Sequence, residues 1–162
     1  MSRPARKLSE KSTSKVFEML LHQKGNDRCA DCKAKSPLWA SLDFGIIICM
    51  NCSGGHRSLG RLITRVRSVK IDSWNQDEVE ILAAVGNDLA NAYWEHNLAG
   101  RARPTLDSSN EQRQRWIEDK YKHKKYVSVH CTDPVQLYKQ GTLNKQEESP
   151  QKKVLPKADP TN

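Results

Sequence analysis

The sequence predicts an α+β domain: a small four-cysteine core and a short antiparallel sheet, surrounded by several α-helices. Three observations predict it. Two Cys-x-x-Cys pairs, Cys29/Cys32 and Cys49/Cys52, stand sixteen residues apart. Two short strand-like runs lie between the pairs, and most of the remainder carries apolar residues at helical spacing, punctuated by cap signatures, Gly and Pro. Each pair offers two thiolates from one tight knuckle, so the four sulfurs complete the tetrahedral shell of a single Zn²⁺. No position is left for water or substrate, which makes the zinc structural and the unit a zinc finger. Two disulfides are the alternative; the polar, basic opening MSRPARK, with no secretory signal, and the odd Cys131 argue against them.

Taken in order, residues 1–11 are polar and basic and read as a disordered arm. Val16, Phe17, Leu20 and Leu21 then recur at helical spacing after the cap-forming residues 12–14, and Gly25 stops the helix. The runs Leu38-Trp39-Ala40-Ser41-Leu42 and Ile46-Ile47-Ile48, with Gly45 before the second, read as a hairpin pinned at both ends by cysteine pairs. Ser53 caps a short helical turn that carries His56 and Arg57 and ends at Gly60. Val69 and Ile71 suggest a further strand, followed by a turn at residues 72–75. Asn75 with Glu78 has cap-box spacing and opens a helix through Val79, Ile81, Leu82 and Val85. Gly86-Asn87 interrupts it, and Leu89, Ala92, Tyr93 and Trp94 continue the helical pattern. Ser108 with Glu111 opens the last helix, which turns Trp116, Ile117 and Tyr121 to the core. Residues 131–162, poor in apolar residues and rich in Lys, Gln, Glu and Pro, read as a flexible polar tail or linker, which leaves residues 12–130 as the domain.

The chain has 162 residues, a formal net charge of +8, 36% hydrophobic residues and a mean hydropathy of −0.78. No stretch approaches the ~20 apolar residues of a membrane span, and reduced thiols place the expected compartment in the cytoplasm or nucleus. The charge points to anionic partners. Residues 57–71 hold Arg57, Arg61, Arg65, Arg67 and Lys70 with no acid among them. A second basic group (Arg113, Arg115, Lys120, Lys122, Lys124, Lys125) is interleaved with acids and reads as a solvated helix face.

The ordered combination Cys29-Ala-Asp-Cys32, Trp39-Ala40-Ser41, Gly45-Ile-Ile-Ile-Cys49, Cys52-Ser-Gly-Gly-His56-Arg57-Ser-Leu59-Gly60, Val66-Arg67-Ser68 and Ile71-Asp72-Ser73-Trp74 resembles the catalytic domain of the Arf GTPase-activating proteins (ArfGAP). Gly86-Asn87 and Lys120-Tyr121 add to it. The resemblance implies one structural zinc on Cys29, Cys32, Cys49 and Cys52, and an arginine finger at Arg57. It further implies a GTP-bound Arf-family small GTPase as partner, and a role in vesicle trafficking as a cytoplasmic protein transiently at Golgi, endosomal or plasma membranes. The chain departs from the family at Gly55, where most members have isoleucine, and at Leu62 and Asp43. Gly55 is expected to add backbone freedom beside the arginine.

That assignment suits the chemistry. Phosphoryl transfer builds charge on the γ-phosphoryl oxygens, and a planar, always-charged guanidinium supplied in trans bridges two of them. The chain is then an activator rather than an enzyme, and it shows no Walker lysine and no Gly-rich phosphate loop. Trp39 is expected to be core or to buttress the arginine, His56 to be a hydrogen-bonding residue rather than a fifth ligand, and Asp72 to brace the Arg57 region or serve as an ordinary turn aspartate. Two other classes compete: a catalytically silent Arf- or lipid-binding adaptor, and a GATA-like DNA-binding zinc module. Anionic membrane is an additional expected contact, and nucleic acid ranks last.

Overall fold

The computed structural model of the chain describes residues 4–143, a three-stranded antiparallel sheet wrapped by six helices. None of these helices is long and apolar enough to cross a membrane. β1 (Trp39–Ser41) and β2 (Ile46–Ile48) form the predicted hairpin with Trp39 opposite Ile48, closed by a 3₁₀ turn and by Gly45 in the left-handed region. β3 (Val66–Ser68) pairs with the other edge of β1 and sits earlier than Val69 and Ile71 suggested. The reason is local. The Asp72 carboxylate accepts the Ser68 amide at 2.7 Å, and Ser68 Oγ accepts the amides of Lys70 and Ile71, which turns the chain, buries Val69 and exposes Ile71.

The helices follow their caps. α1 (Glu10–His22) begins before residues 12–14, because Ser9 Oγ accepts the Ser12 amide and Thr13 bonds back to the Ser9 carbonyl. α2 (Met50–Ser58) also begins early: Cys49 is the cap, its sulfur accepting the Cys52 amide, and Ser53 lies inside the helix with its hydroxyl on the Met50 carbonyl. α3 (Gln76–Ala84) carries the predicted Asn75/Glu78 capping box, and Gly86 at φ 74° separates it from α4 (Gly86–Trp94). α5 (Asn110–Ile117) is capped by Ser109 with Gln112, one residue after the predicted pair, and runs on into a wide π-type turn, Glu118–Lys122.

The ordered fold extends past both expected boundaries. Before residue 12, the Gln76 amide donates to the Arg6 carbonyl and the Leu8 amide to the Trp74 carbonyl, so residues 6–8 are tied to the start of α3. After residue 130, α6 (Pro134–Lys139) is capped by Asp133, and Val135 and Leu143 are buried in the core. A six-residue helix with so few apolar positions has no readable period; it is held by the surface that α3 and α4 present. The rest of the expected tail, residues 144–162, and residues 1–3 lie outside the described residues.

Both faces of the sheet are covered. Ile46 and Ile48 join Phe44, Trp94, Trp116 and Tyr121 on one side, while Ile47 joins Phe17, Leu20, Trp74 and Leu82 on the other. Asn87 stitches helix to sheet: its Oδ1 accepts the Ile47 amide at 2.7 Å, and its Nδ2 reaches the carbonyls of Ile47, Arg28 and Gly25. The interruption read at Gly86-Asn87 is therefore also a joint.

Gly55 differs from its expectation. It is buried where α2 crosses α5, and a Cβ built there would meet Ile117 Cδ1 at 2.4 Å. It is a close-packing residue rather than a flexible one. Gly55→Ala is expected to lower stability by about 1 kcal/mol, because repacking around a fully buried Ile117 outweighs the gain in helix propensity. Adding Ile117→Val should recover part of the loss in thermal unfolding; independent, additive effects of the two changes would contradict the packing account.

Candidate metal centre and arginine site

The four sulfurs of Cys29, Cys32, Cys49 and Cys52 lie within 4.8 Å of one another, near the ~3.8 Å edge of a tetrahedron with Zn–S bonds of ~2.3 Å. Backbone geometry delivers them. The Asp31 amide donates to Cys29 Sγ at 3.4 Å, Lys33 adopts φ 64° to close the first knuckle, and the second knuckle is the first turn of α2. Burial, with sulfur hydrogen bonds from Cys32 and Cys49, pushes the Cys29 thiol up, and hydrogen bonding with Cys29 pushes Cys52 up as well. Hydrogen bonding with Cys29 brings Cys49 down to about 7. Four sulfurs this close cannot all ionise without a cation among them, and the donor set suits Zn²⁺. Arg113, 3% exposed, donates to Cys52 Sγ at 3.3 Å and to the Thr105 carbonyl, offsetting thiolate charge. Cys131 is exposed and outside the cluster.

Between the two cysteines of the first knuckle sits Asp31, fully buried and bonded on both oxygens. Oδ2 accepts from His56 Nε2 at 2.7 Å; Oδ1 accepts from Lys120 Nζ and the Tyr121 hydroxyl, both at 2.8 Å, and from Trp116 Nε1 at 3.3 Å. Burial alone would raise this carboxyl, but Lys120 beside it, and then the His56 hydrogen bond, hold it well below the usual carboxylate range. Burial, followed by the Asp31 charge, pushes Tyr121 well up. Lys120, 0% exposed, also binds Glu95 at 2.7 Å, and Arg103 closes the chain onto Glu95 at 2.6 Å. On its far side His56 Nδ1 meets Ser41 Oγ at 3.1 Å, and Ser41 meets Thr64 at 2.6 Å. His56 is therefore a hydrogen-bonding residue, outside the sulfur cluster.

With His56 anchored inward, the next residue on α2 points out. Arg57 is exposed, and its guanidinium lies over the half-buried Trp39 ring, 4.5 Å from the centroid. Trp39 thus packs on the sheet and supports the arginine at once. Arg57, Arg61, Thr64, Arg65, Val66 and Arg67 line a cleft of about 300 Å³. Arg65 is paired with Asp43 and Arg67 with Glu78. Asp72 lies apart from this cleft and serves its own turn through Ser68, the residue opposite Trp39. A larger groove of about 1030 Å³ between α1 and residues 69–73 includes Asp72 but none of the cysteines and not Arg57.

The second basic group divides: Arg115, Lys122, Lys124 and Lys125 are exposed, but Arg113 and Lys120 are buried and structural. Asp31, Glu95 and Arg113 are the site residues that sequence reasoning missed. A carboxylate inside a Cys-x-x-Cys loop was the available signal for the first; nothing local marked the others.

The ArfGap family model, "Putative GTPase activating protein for Arf", matches residues 14–130. An Arabidopsis thaliana protein named "Probable ADP-ribosylation factor GTPase-activating protein AGD15" is 40% identical over 127 residues, covering 78% of this chain and 52% of its own length. Mouse "Stromal membrane-associated protein 1" is 41% identical over 123 residues, covering 75% of this chain and 27% of its own. The chain thus spans about half or less of these curated relatives. The solved "ArfGap domain of HIV-1 Rev binding protein" superposes with a TM-score of 0.65 at 23% identity, over 78% of this chain and 92% of that one, which supports the same fold.

The buried charges generate a stability prediction. Lys120→Met leaves the Asp31 and Glu95 carboxylates without their shared cation and is expected to lower unfolding stability by about 3–5 kcal/mol. Lys122→Met, two residues on and exposed, should change it by less than about 0.5 kcal/mol. Urea denaturation of both variants checks the contrast; equal effects would mean that Lys120 is not the keystone cation.

Proposed function

Given that the chain belongs to the ArfGap family of GTPase-activating proteins, we propose that it stimulates GTP hydrolysis on a GTP-bound, Arf-type small GTPase by supplying Arg57 in trans as an arginine finger. One structural zinc on Cys29, Cys32, Cys49 and Cys52 belongs to this reading. When bound, it fixes the start of α2 and supplies no reactive chemistry. The observation that carries the proposal is the mounting of Arg57: exposed, stacked on Trp39, and next in sequence to a histidine locked onto Asp31.

The chain's residues divide the work. Trp39 and α2 aim the guanidinium, so little side-chain freedom is lost as it meets the γ-phosphoryl oxygens. The partner contributes nucleotide, Mg²⁺ and the attacking water. An arginine finger supplies roughly 10³–10⁵ in rate, or about 4–7 kcal/mol. Arg61, which has no carboxylate partner among the described residues, adds to the positive charge around Arg57, which favours approach to phosphate and, more weakly, to the anionic cytoplasmic faces of Golgi, endosomal or plasma membranes.

The silent-adaptor alternative drew on Gly55 and Leu62; the packing of Gly55 on Ile117 withdraws the first support, while Leu62 is fully exposed and keeps the second. The DNA-binding alternative drew on a free basic run; Arg65 and Arg67 are instead tied to Asp43 and Glu78.

Arg57→Lys keeps the charge but loses the bidentate fork. It should preserve folding, metal content and most GTPase binding while lowering stimulated hydrolysis by about 10² or more in single-turnover assays over a panel of Arf-type GTPases. Parent-level stimulation by the folded variant would refute the finger. Metal analysis should find one zinc per chain. Strong chelation should unfold the protein, since structural zinc contributes on the order of 10 kcal/mol; native spectra and unchanged melting in metal-free protein would count against structural zinc.

A further inference from the structure

The arginine cleft has two walls joined by a short loop. α2 ends at Ser58, Gly60 at φ 98° turns the backbone, and β3 begins at Val66. One wall carries Arg57, the other Arg65 and Arg67, so the separation of the walls decides where the Arg57 guanidinium stands. Thr64, in the loop, lines the cleft at 1% exposure and offers almost nothing to a molecule outside.

Under the cleft a run of buried polar side chains joins the walls. Thr64 Oγ1 lies 2.6 Å from Ser41 Oγ, Ser41 Oγ lies 3.1 Å from His56 Nδ1, and His56 Nε2 lies 2.7 Å from Asp31. Its direction follows from its end. A carboxylate only accepts, so Nε2 carries a proton; in a neutral imidazole Nδ1 then accepts from Ser41, and Ser41, its one proton spent, accepts from Thr64. The run thus passes from the loop through β1 into α2. Trp39 and Ser41 are two residues apart on β1 and share a face, and consecutive residues of α2 meet them, Arg57 over Trp39 and His56 on Ser41. The start of β3 has ties of its own to the hairpin: the Leu42 amide donates to the Arg65 carbonyl, and the Arg65 amide to the Asp43 carboxylate. The Thr64 hydroxyl is therefore not needed to hold the strand. What it adds is a link to the helix.

Resting on the activator reading above, we propose that Thr64 is a positioning residue for the finger: acting through Ser41 and His56, its hydroxyl sets the spacing between α2 and β3, and with it the place of the Arg57 guanidinium. Because the run is buried, its loss alters the rate at saturation rather than the affinity for the partner. A chain of hydroxyls in series also behaves as a unit, so breaking either link releases the same constraint.

The test uses the full chain in single-turnover hydrolysis over a panel of GTP-loaded Arf-type GTPases, with the concentration of the chain varied to separate maximal rate from half-saturation. Thr64→Val should lower the maximal rate by about tenfold, within the ~10²-fold that a misplacement of ~1 Å costs, and leave half-saturation within about twofold. Thr64→Ser, which keeps the hydroxyl, should run near the parent. Ser41→Ala should show the same loss as Thr64→Val, and the double variant no more than the worse single. Thr13→Val removes another buried hydroxyl, bonded to the Ser9 carbonyl on α1, and should leave the maximal rate unchanged. In parallel, NMR of the chain alone reads the upfield shift that the Trp39 ring imposes on the Arg57 side-chain protons; Thr64→Val should reduce it and Thr13→Val should not. Should Thr64→Val not fold, Thr64→Ala against Thr64→Ser makes the same comparison. A parent-level maximal rate in Thr64→Val, a loss confined to half-saturation, equal impairment of Thr64→Ser or Thr13→Val, additive losses in the double variant, or an unchanged Arg57 shift overturns the proposal. Failure of the activator reading looks different: no member of the panel responds to the parent, while the Arg57 shift still decides whether Thr64 positions the guanidinium.

Discussion

The carboxylate of Asp31 holds the architecture together. It is a charge enclosed by protein on every side, which is costly unless each lone pair is matched. The matching groups come from three parts of the chain: His56 from α2, and Trp116 with Lys120 and Tyr121 from α5 and the π-type turn after it. The carboxylate itself belongs to the first cysteine knuckle. One buried anion therefore fixes the relative positions of the cysteine cluster, the helix carrying the arginine, and α5 with the turn that follows it. The arrangement is cooperative because removing any donor leaves charge unmatched for the rest.

The π-type turn at Glu118–Lys122 follows from the same constraint. Trp116, Lys120 and Tyr121 all have to reach one carboxylate, and Asp119, between them, has to reach Arg101 and Lys125 outside. The wider turn redistributes side chains that α-helical spacing would spread around the axis. Aromatic packing fills the space around the charges: Tyr121 stacks on Phe44 at 4.4 Å and lies 4.7 Å from the His56 ring.

Much of this was legible in the sequence, for reasons that differ by element. The cysteine spacing stated the four-sulfur cluster, and strand-like runs between pinned ends stated the β1–β2 hairpin, because both are local. The role of Arg57 was an expectation of the resemblance, and its exposed position over Trp39 is what the structure adds. Long-range relations were not. Lys120 looked like one of six basic residues on a solvated face, since periodicity does not reveal that a carboxylate waits on the opposite side. β3 was placed two to three residues late because Val69 is apolar; its burial beneath a turn gives the same hydropathy signal as burial in a strand. α6 was missed because its stability lies in the surface beneath it, and Gly55 was misread because its reason is a side chain sixty-two residues away.

Cys49 is both a candidate metal ligand and the cap of α2, and the helix from that cap to Arg57 is unbroken. A guanidinium on a free loop would have to be immobilised at each encounter, at about 1–2 kcal/mol per backbone residue ordered. On α2 that ordering is complete once the chain has folded. On this chain's side, any encounter then meets a surface already formed, and the lifetime of a complex rests on dissociation more than on ordering of the arginine.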